Sequence, residues 1–163
     1  MTISATKEGG GVVRFILLGA VAGAAAMAIA TGSGADAGTG PAQIKITNTL
    51  VQSAFVNVGS RARGPGDQEI SAGRLYNRRI TTQPIGRSEQ QCTYSFSGVR
   101  NCRGTFTLPK GKLMVGGTLR FSELYQLAVL GGTGLYDNAR GTVTVTRIGR
   151  RPTRELVVFR LTG

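Results

Sequence analysis

A chain of 163 residues is long enough for one domain with a real core and short for two. It has no histidine, which rules out a Ser/His/Asp triad, and two cysteines alone are too few ligands for zinc, so no metal site is expected. Twenty basic residues against eight acidic ones leave a net charge of +12, so copies repel one another and anionic partners are favoured.

Lys7 and Arg14 open the chain with positive charge, and sixteen uncharged residues then run from Phe15 to Ala30. Small residues follow, down to Ala35-Asp36-Ala37, an A-x-A pattern that a signal peptidase cuts before Gly38. Charged head, apolar middle and small-residue exit are the three parts of a secretory signal. The apolar run is rich in Ala and Gly and falls short of the roughly 20 residues that span a bilayer, so cleavage is favoured over an uncleaved anchor. No cysteine follows the run where a bacterial lipid anchor would need one. The protein is therefore expected to be secreted, with residues 1–37 as signal, 38–43 as linker and 44–163 as the folded domain. The signal holds two basic and two acidic residues, so the mature chain keeps its +12.

Export removes a protein from most nucleic acid. The arginines are also scattered, with only Arg78-Arg79 and Arg150-Arg151 adjacent and few aromatics between them as stacking platforms. Nucleic acid is not expected as a partner. Anionic cell-wall polymers or a lipid surface fit the charge better, against a plain solvated basic face.

From Ile44 the pattern is period two. Ile44, Ile46, Leu50, Ala54, Val56 and Val58 share one parity, opposite Lys45, Thr47 and Asn57, which reads as a long strand with one buried face and a bulge near Gln52-Ser53. Gly59 to Gly66 is a basic loop. Strands are predicted over Glu69 to Asn77, Gly86 to Phe96 and Cys102 to Leu108, with Ser97-Gly98 and Pro109-Lys110-Gly111 as turns. Leu113, Val115, Leu119 and Phe121 alternate next, then Leu124 to Leu130, closed by Gly131-Gly132-Thr133-Gly134. Val143 and Val145 alternate with threonines, and Glu155 to Leu161 ends the domain. About eight short strands at even spacing predict an all-β fold, a sandwich or a closed barrel. Leu156 and Val158 lie on one face of the last strand, and Val157, Phe159 and Leu161 on the other. Burial of both faces predicts an outer apolar contact, hence a homo-oligomer.

Cys92 and Cys102 flank the predicted turn at Ser97-Gly98. An even cysteine count in an exported domain reads as a disulfide, and antiparallel partners on the two arms of such a turn lie within bridging distance.

A series of motifs runs through the domain in order: Gly66-Asp67, Leu75-Tyr76-Asn77, Ile85-Gly86, Cys92, Gly104-Thr105-Phe106, Leu108-Pro109 and the block from Gly131 through Tyr136 and Ala139-Arg140 to Gly141. The series resembles the dirigent and allene oxide cyclase superfamily, in its bacterial, secreted form, over about Ile44 to Leu161. The resemblance implies an eight-stranded antiparallel closed barrel, usually trimeric, with a largely apolar cavity. It also implies cofactor-free work on a small apolar or aromatic molecule. Plant cyclases of this group close an epoxide to a cyclopentenone, dirigent proteins steer phenoxy-radical coupling, and related bacterial barrels shape polyketide cyclisations. All gain chiefly by holding a flexible molecule in one conformation.

Residue by residue, Gly73 stands where the plant cyclases have a functional Asn, and Leu119 falls near their functional Tyr. Cys92 matches a pocket cysteine. The first two departures argue against authentic allene oxide cyclase activity. Arg140 matches a pocket Arg of the dirigent A-R-G element, yet its parity sets it with Thr142 and Thr144, opposite the valines. Gly131, Gly132, Gly134 and Gly141 are read as turn and close-approach residues, because no helix follows whose N-terminus could hold a phosphate. Parity points Asn48 and Tyr76 inward as pocket candidates. Asp67 reads as a turn-closing carboxylate, and Glu123 is the acid/base candidate by chemistry.

The leading functional expectation is a secreted barrel that binds a small apolar or aromatic molecule and steers its cyclisation or coupling without a cofactor. The alternative is a non-catalytic basic protein of the surface or cell wall. N-terminal sequencing of secreted material is expected to begin at Gly38, and full-length chain held in the cytoplasm would refute the export reading.

Overall fold

A computed structural model describes residues 43–59, 63–96, 98–120, 123–150 and 153–162, so the predicted signal and most of the predicted linker lie outside the described residues. Eight strands follow in chain order: β1 (Gln43–Val56), β2 (Gln68–Asn77), β3 (Pro84–Tyr94), β4 (Arg100–Leu108), β5 (Gly111–Leu119), β6 (Leu124–Gly134), β7 (Arg140–Arg150) and β8 (Thr153–Thr162). Each pairs antiparallel with the next, and β8 returns to β1, so the sheet closes into a barrel. Closure leaves no sheet edge along the paired rungs.

Period-two alternation puts one face of every strand inside. Ile44 and Ile46 of β1, Leu113 and Val115 of β5, Val143 and Val145 of β7, and Val157, Phe159 and Leu161 of β8 all belong to one core. Phe106 and Phe159 meet edge to face at its centre, with ring centroids 5.1 Å apart. This packing fills the half of the barrel that carries the start of β1 and the end of β8.

Tyr136 closes that end. The Gly-rich block, predicted as the turn itself, instead completes β6, and the reversal is made by residues 135–139. Tyr136 folds back from this turn into the core. The glycines leave the room for it: a Cβ on Gly132 would lie 2.8 Å from Cβ of Tyr136, and one on Gly111 would lie 3.2 Å from its ring. Gly134 supplies the left-handed backbone, at φ 65°, from which the chain turns.

The long β1 carries its bulge at Val51, one residue before the predicted place. An extra residue reverses which face each later side chain takes. Leu50 still pairs with Gly73 on the inner face, but Ala54 now pairs with the outward Ile70, and Phe55 with Glu69. The predicted inward set therefore breaks at the bulge, and Ala54, Val56 and Val58 are exposed.

Asp67 secures the loop after β1. Its carboxylate accepts the N–H of Val58 at 2.8 Å and of Gly64 at 2.9 Å. The Val58 N–H foremost, against the opposing effect of desolvation, holds its pKa below the ordinary value.

Phe159 is fully buried, so Phe159→Ala removes a ring whose space the rigid barrel wall cannot reclaim. Urea unfolding is expected to show a loss of about 3–5 kcal/mol.

Candidate functional site

The other half of the barrel is polar inside. Asn48 of β1, Glu155 of β8 and Arg147 of β7 occupy one rung across three neighbouring strands. With Ser88 and Gln90 of β3, Arg100 of β4, Tyr125 of β6 and Glu69 of β2 they form the polar part of the lining of a cavity of about 60 Å³, whose apolar part includes Leu50, Phe106 and Leu119. Arg100, Tyr125, Arg147 and Glu155 each stand at the open-end limit of an inward alternation whose next members are apolar.

Glu155 is the centre of this lining. It is buried, and its Oε2 accepts a hydrogen bond from Nδ2 of Asn48 at 2.9 Å. Asn48 in turn accepts one from the Ser88 hydroxyl at 2.9 Å through Oδ1. Asn48 and Ser88 belong to strands separated by β2, and they meet because the intervening residue is Gly73. A Cβ there would collide with Oδ1 of Asn48 and lie 2.7 Å from Oγ of Ser88. Burial raises the pKa of Glu155, and the Asn48 hydrogen bond and the Arg147 charge only partly offset it. Tyr125 is pushed up as well, by burial first and by the Glu155 carboxylate second. The cavity thus sets a carboxyl whose proton affinity is raised beside a phenol whose affinity is raised as well, among fixed dipoles, the means to give or take one proton.

Nearer the mouth, Arg100 and Glu69 form an ion pair at 2.6 Å, with the guanidinium largely buried and the carboxylate partly exposed. The Tyr94 hydroxyl donates to the same carboxylate at 3.3 Å. The Arg100 guanidinium carbon lies 5.6 Å from the centre of the Tyr94 ring, a cation–π distance. Phe55 packs edge to face on Tyr94, with centroids 6.1 Å apart. These two aromatics, with Arg63 and Glu69, line an outer groove of about 560 Å³. Glu69 belongs to both the groove and the inner cavity.

Of the residues singled out from sequence, Asn48 lies in the cavity wall. Tyr76 is half-buried but does not line the cavity; it follows the fully buried Leu75, at an irregularity in the pairing of β2 with β3. Arg140 is exposed at the closed end, where it donates to the carbonyl of Ala139 at 2.9 Å. Gly141 beside it has φ 131° and faces the Arg160 carbonyl at a distance that admits no side chain. Glu123 is exposed and ion-paired with Arg150 at 2.9 Å, outside the cavity. Cys92 and Cys102 are directly opposed on β3 and β4, with Cα atoms 4.0 Å apart, and are joined as a disulfide. Cys92 and Leu119, two positions picked out by the family resemblance, both line the cavity, and Gly73 shapes its wall.

Sequence reasoning passed over Glu155, Arg147, Arg100, Glu69, Tyr125, Ser88 and Gln90. A signal existed. Glu155 shares the parity of Val157 and Phe159, Arg147 that of Val145, and Tyr125 that of Leu127. A polar residue that ends an inward alternation is a polar residue inside the barrel.

No family model and no curated protein matches this sequence. Solved structures do. A pyocyanin demethylase superposes with a TM-score of 0.65 at 21% identity, over 74% of this chain and 99% of that one. The Diels-Alderase AbmU from Streptomyces koyangensis gives 0.59 at 16% identity, over 74% of this chain and 68% of the other. A pterocarpan synthase dirigent protein gives 0.54 at 14% identity, over 73% and 84%. The chain therefore has the closed eight-stranded fold of dirigent proteins and related barrel cyclases.

A carboxyl whose folded pKa exceeds its unfolded value binds its proton more tightly when folded, so it costs stability as pH climbs from the ordinary 4.5 through the raised value. Glu155→Gln abolishes that dependence. Urea unfolding is expected to show the variant gaining on the wild type between pH 4.5 and neutrality. A difference that stays flat over this interval would show that the folded pKa of Glu155 is not raised.

Proposed function

We propose that this barrel binds a small aromatic or apolar molecule and steers its cyclisation or coupling, with Glu155 and Tyr125 governing a proton on the bound molecule. The observation that carries this reading is the buried Ser88–Asn48–Glu155 chain facing a cavity. Buried carboxyls are costly to desolvate, and a titratable group perturbed by burial and a charged neighbour in a concave site is a mark of function. The names of the similar structures, a demethylase, a Diels-Alderase and a pterocarpan synthase, support small-molecule chemistry on this scaffold.

The inner cavity of about 60 Å³ is well below the roughly 300–1,000 Å³ of sites that enclose drug-sized ligands. The ligand's ring accordingly rests in the outer groove against Phe55 and Tyr94, and one polar substituent passes Glu69 and Arg100 to reach Glu155. Burial and fixed hydrogen bonds orient that substituent, so the barrel contributes mainly conformation and a single proton. No cofactor is part of this reading.

The small cavity is also what favours the competing reading, a non-catalytic basic protein whose barrel serves only for stability. The export reading belongs to both. Association into dimers or trimers is part of the proposal as well. The outer wall carries a groove of about 690 Å³ in which Ile70, Met114 and Leu130 are each about half exposed, apolar surface that a second copy would cover.

The two readings separate on binding. Calorimetric titration with a panel of small phenols and nitrogen heteroaromatics is expected to find saturable binding. Phe55→Ala should weaken it up to about tenfold, the worth of one aromatic contact. Glu155→Gln should flatten its pH profile. Absence of binding across the panel would favour the structural reading.

A further inference from the structure

The two ends of the barrel present different surfaces to solvent. Among the described residues, the large exposed apolar side chains at the end closed by Tyr136 are Ile80 and Leu135. At the open end they are Phe55, Val56, Val58, Phe96, Leu124 and Ile148. The antiparallel order brings these together: β1 and β7 end there, β6 begins there, and Phe96 lies between β3 and β4. Phe96 is 95% exposed and Val58 67%. β1 also projects beyond its neighbour, since its pairing with β8 stops at Thr49 while its pairing with β2 continues to Val56.

Cations border this apolar tip. Arg63, Arg120, Arg150 and Arg154 are exposed at the same end. The acidic residues described there are engaged: Asp67 by the Val58 and Gly64 N–H groups, Glu69 by Arg100, Glu123 by Arg150, and the buried Glu155 by Asn48. An apolar projection ringed by arginines, on a chain of net charge +12, is complementary to a surface with an apolar interior and an anionic face. A second copy docked tip to tip would instead oppose the same arginines.

We propose that the open end of the barrel docks on an anionic lipid surface. Phe96 and the Val56–Val58 tip enter the interface, and Arg63, Arg120 and Arg154 meet the headgroups. The polar cavity then opens toward the membrane, so that an apolar ligand reaches Phe55 and Tyr94 from the lipid. The docking itself does not depend on what the cavity binds.

The chain has no tryptophan, so a single Trp reports on one place. Phe96→Trp marks the open end and Ile80→Trp the closed end, both at exposed positions where neither change disturbs the core. With phosphatidylglycerol vesicles, the emission of Phe96→Trp is expected to shift to the blue while that of Ile80→Trp stays put. Phosphatidylcholine vesicles should give little binding. Adding Arg120→Gln and Arg154→Gln should weaken binding about twenty-five-fold, near fivefold per charge. Absence of a shift, equal shifts at both ends, or equal binding to the zwitterionic vesicles would overturn the proposal. So would a Phe96→Trp shift that appears on concentrating the protein without lipid, which would assign the tip to a second copy.

Discussion

β1 pairs with β2 on one side and with β8 on the other, and this double pairing turns a meander into a closed barrel. The register of the closing pair sets what stands inside. Asn48 is opposite Glu155 because Ile44 is opposite Phe159, and both follow from the same ladder. A one-residue slip would send Phe159 outward and take Glu155 with it, since side chains alternate strictly. Apolar core and polar cavity are therefore two consequences of one register.

The barrel divides its interior by chemistry. One half is filled by Ile46, Leu113, Phe106, Phe159 and their neighbours and stoppered by Tyr136. That half supplies the burial on which the fold stands. The other half holds two carboxyls, two guanidiniums and a phenol in a small space. Such a cluster is poor material for stability, because the desolvation of buried ions tends to match or exceed their attraction. The fold can carry it only because the apolar half is rigid and complete. Gly73 shows how finely the polar half is fitted: the absence of one Cβ lets Asn48 reach past β2 to Ser88.

Most of the architecture was legible. Period-two runs, Gly-containing turns and the ordered motifs pointed to the eight-stranded barrel, and Cys92 and Cys102 sit opposite each other where the predicted turn required. The site was legible only in part. Asn48 was found by parity, whereas Tyr76 shares the parity of the outward Ile70, because on β2 it is Gly73 and Leu75 that face in. Arg140 and Glu123 were chosen for motif and chemistry, and both lie outside the cavity. Glu155 and Arg147 were legible in principle from the alternation around them. They were passed over because a charged residue at a strand end reads locally as a solvated one.

By itself the sequence determined the strands, their inner and outer faces up to the first bulge, the disulfide partners and the excess of positive charge. These depend on neighbours within a few residues, where side-chain alternation and turn chemistry act. Only the tertiary structure decided that the bulge at Val51 turns Val56 and Val58 out to solvent. It alone decided that the Gly-rich block ends a strand to make room for Tyr136, and that Asn48, Ser88, Tyr125, Arg147 and Glu155 face one cavity. Those outcomes depend on register between strands far apart in the chain, and register is settled by packing across the closed barrel.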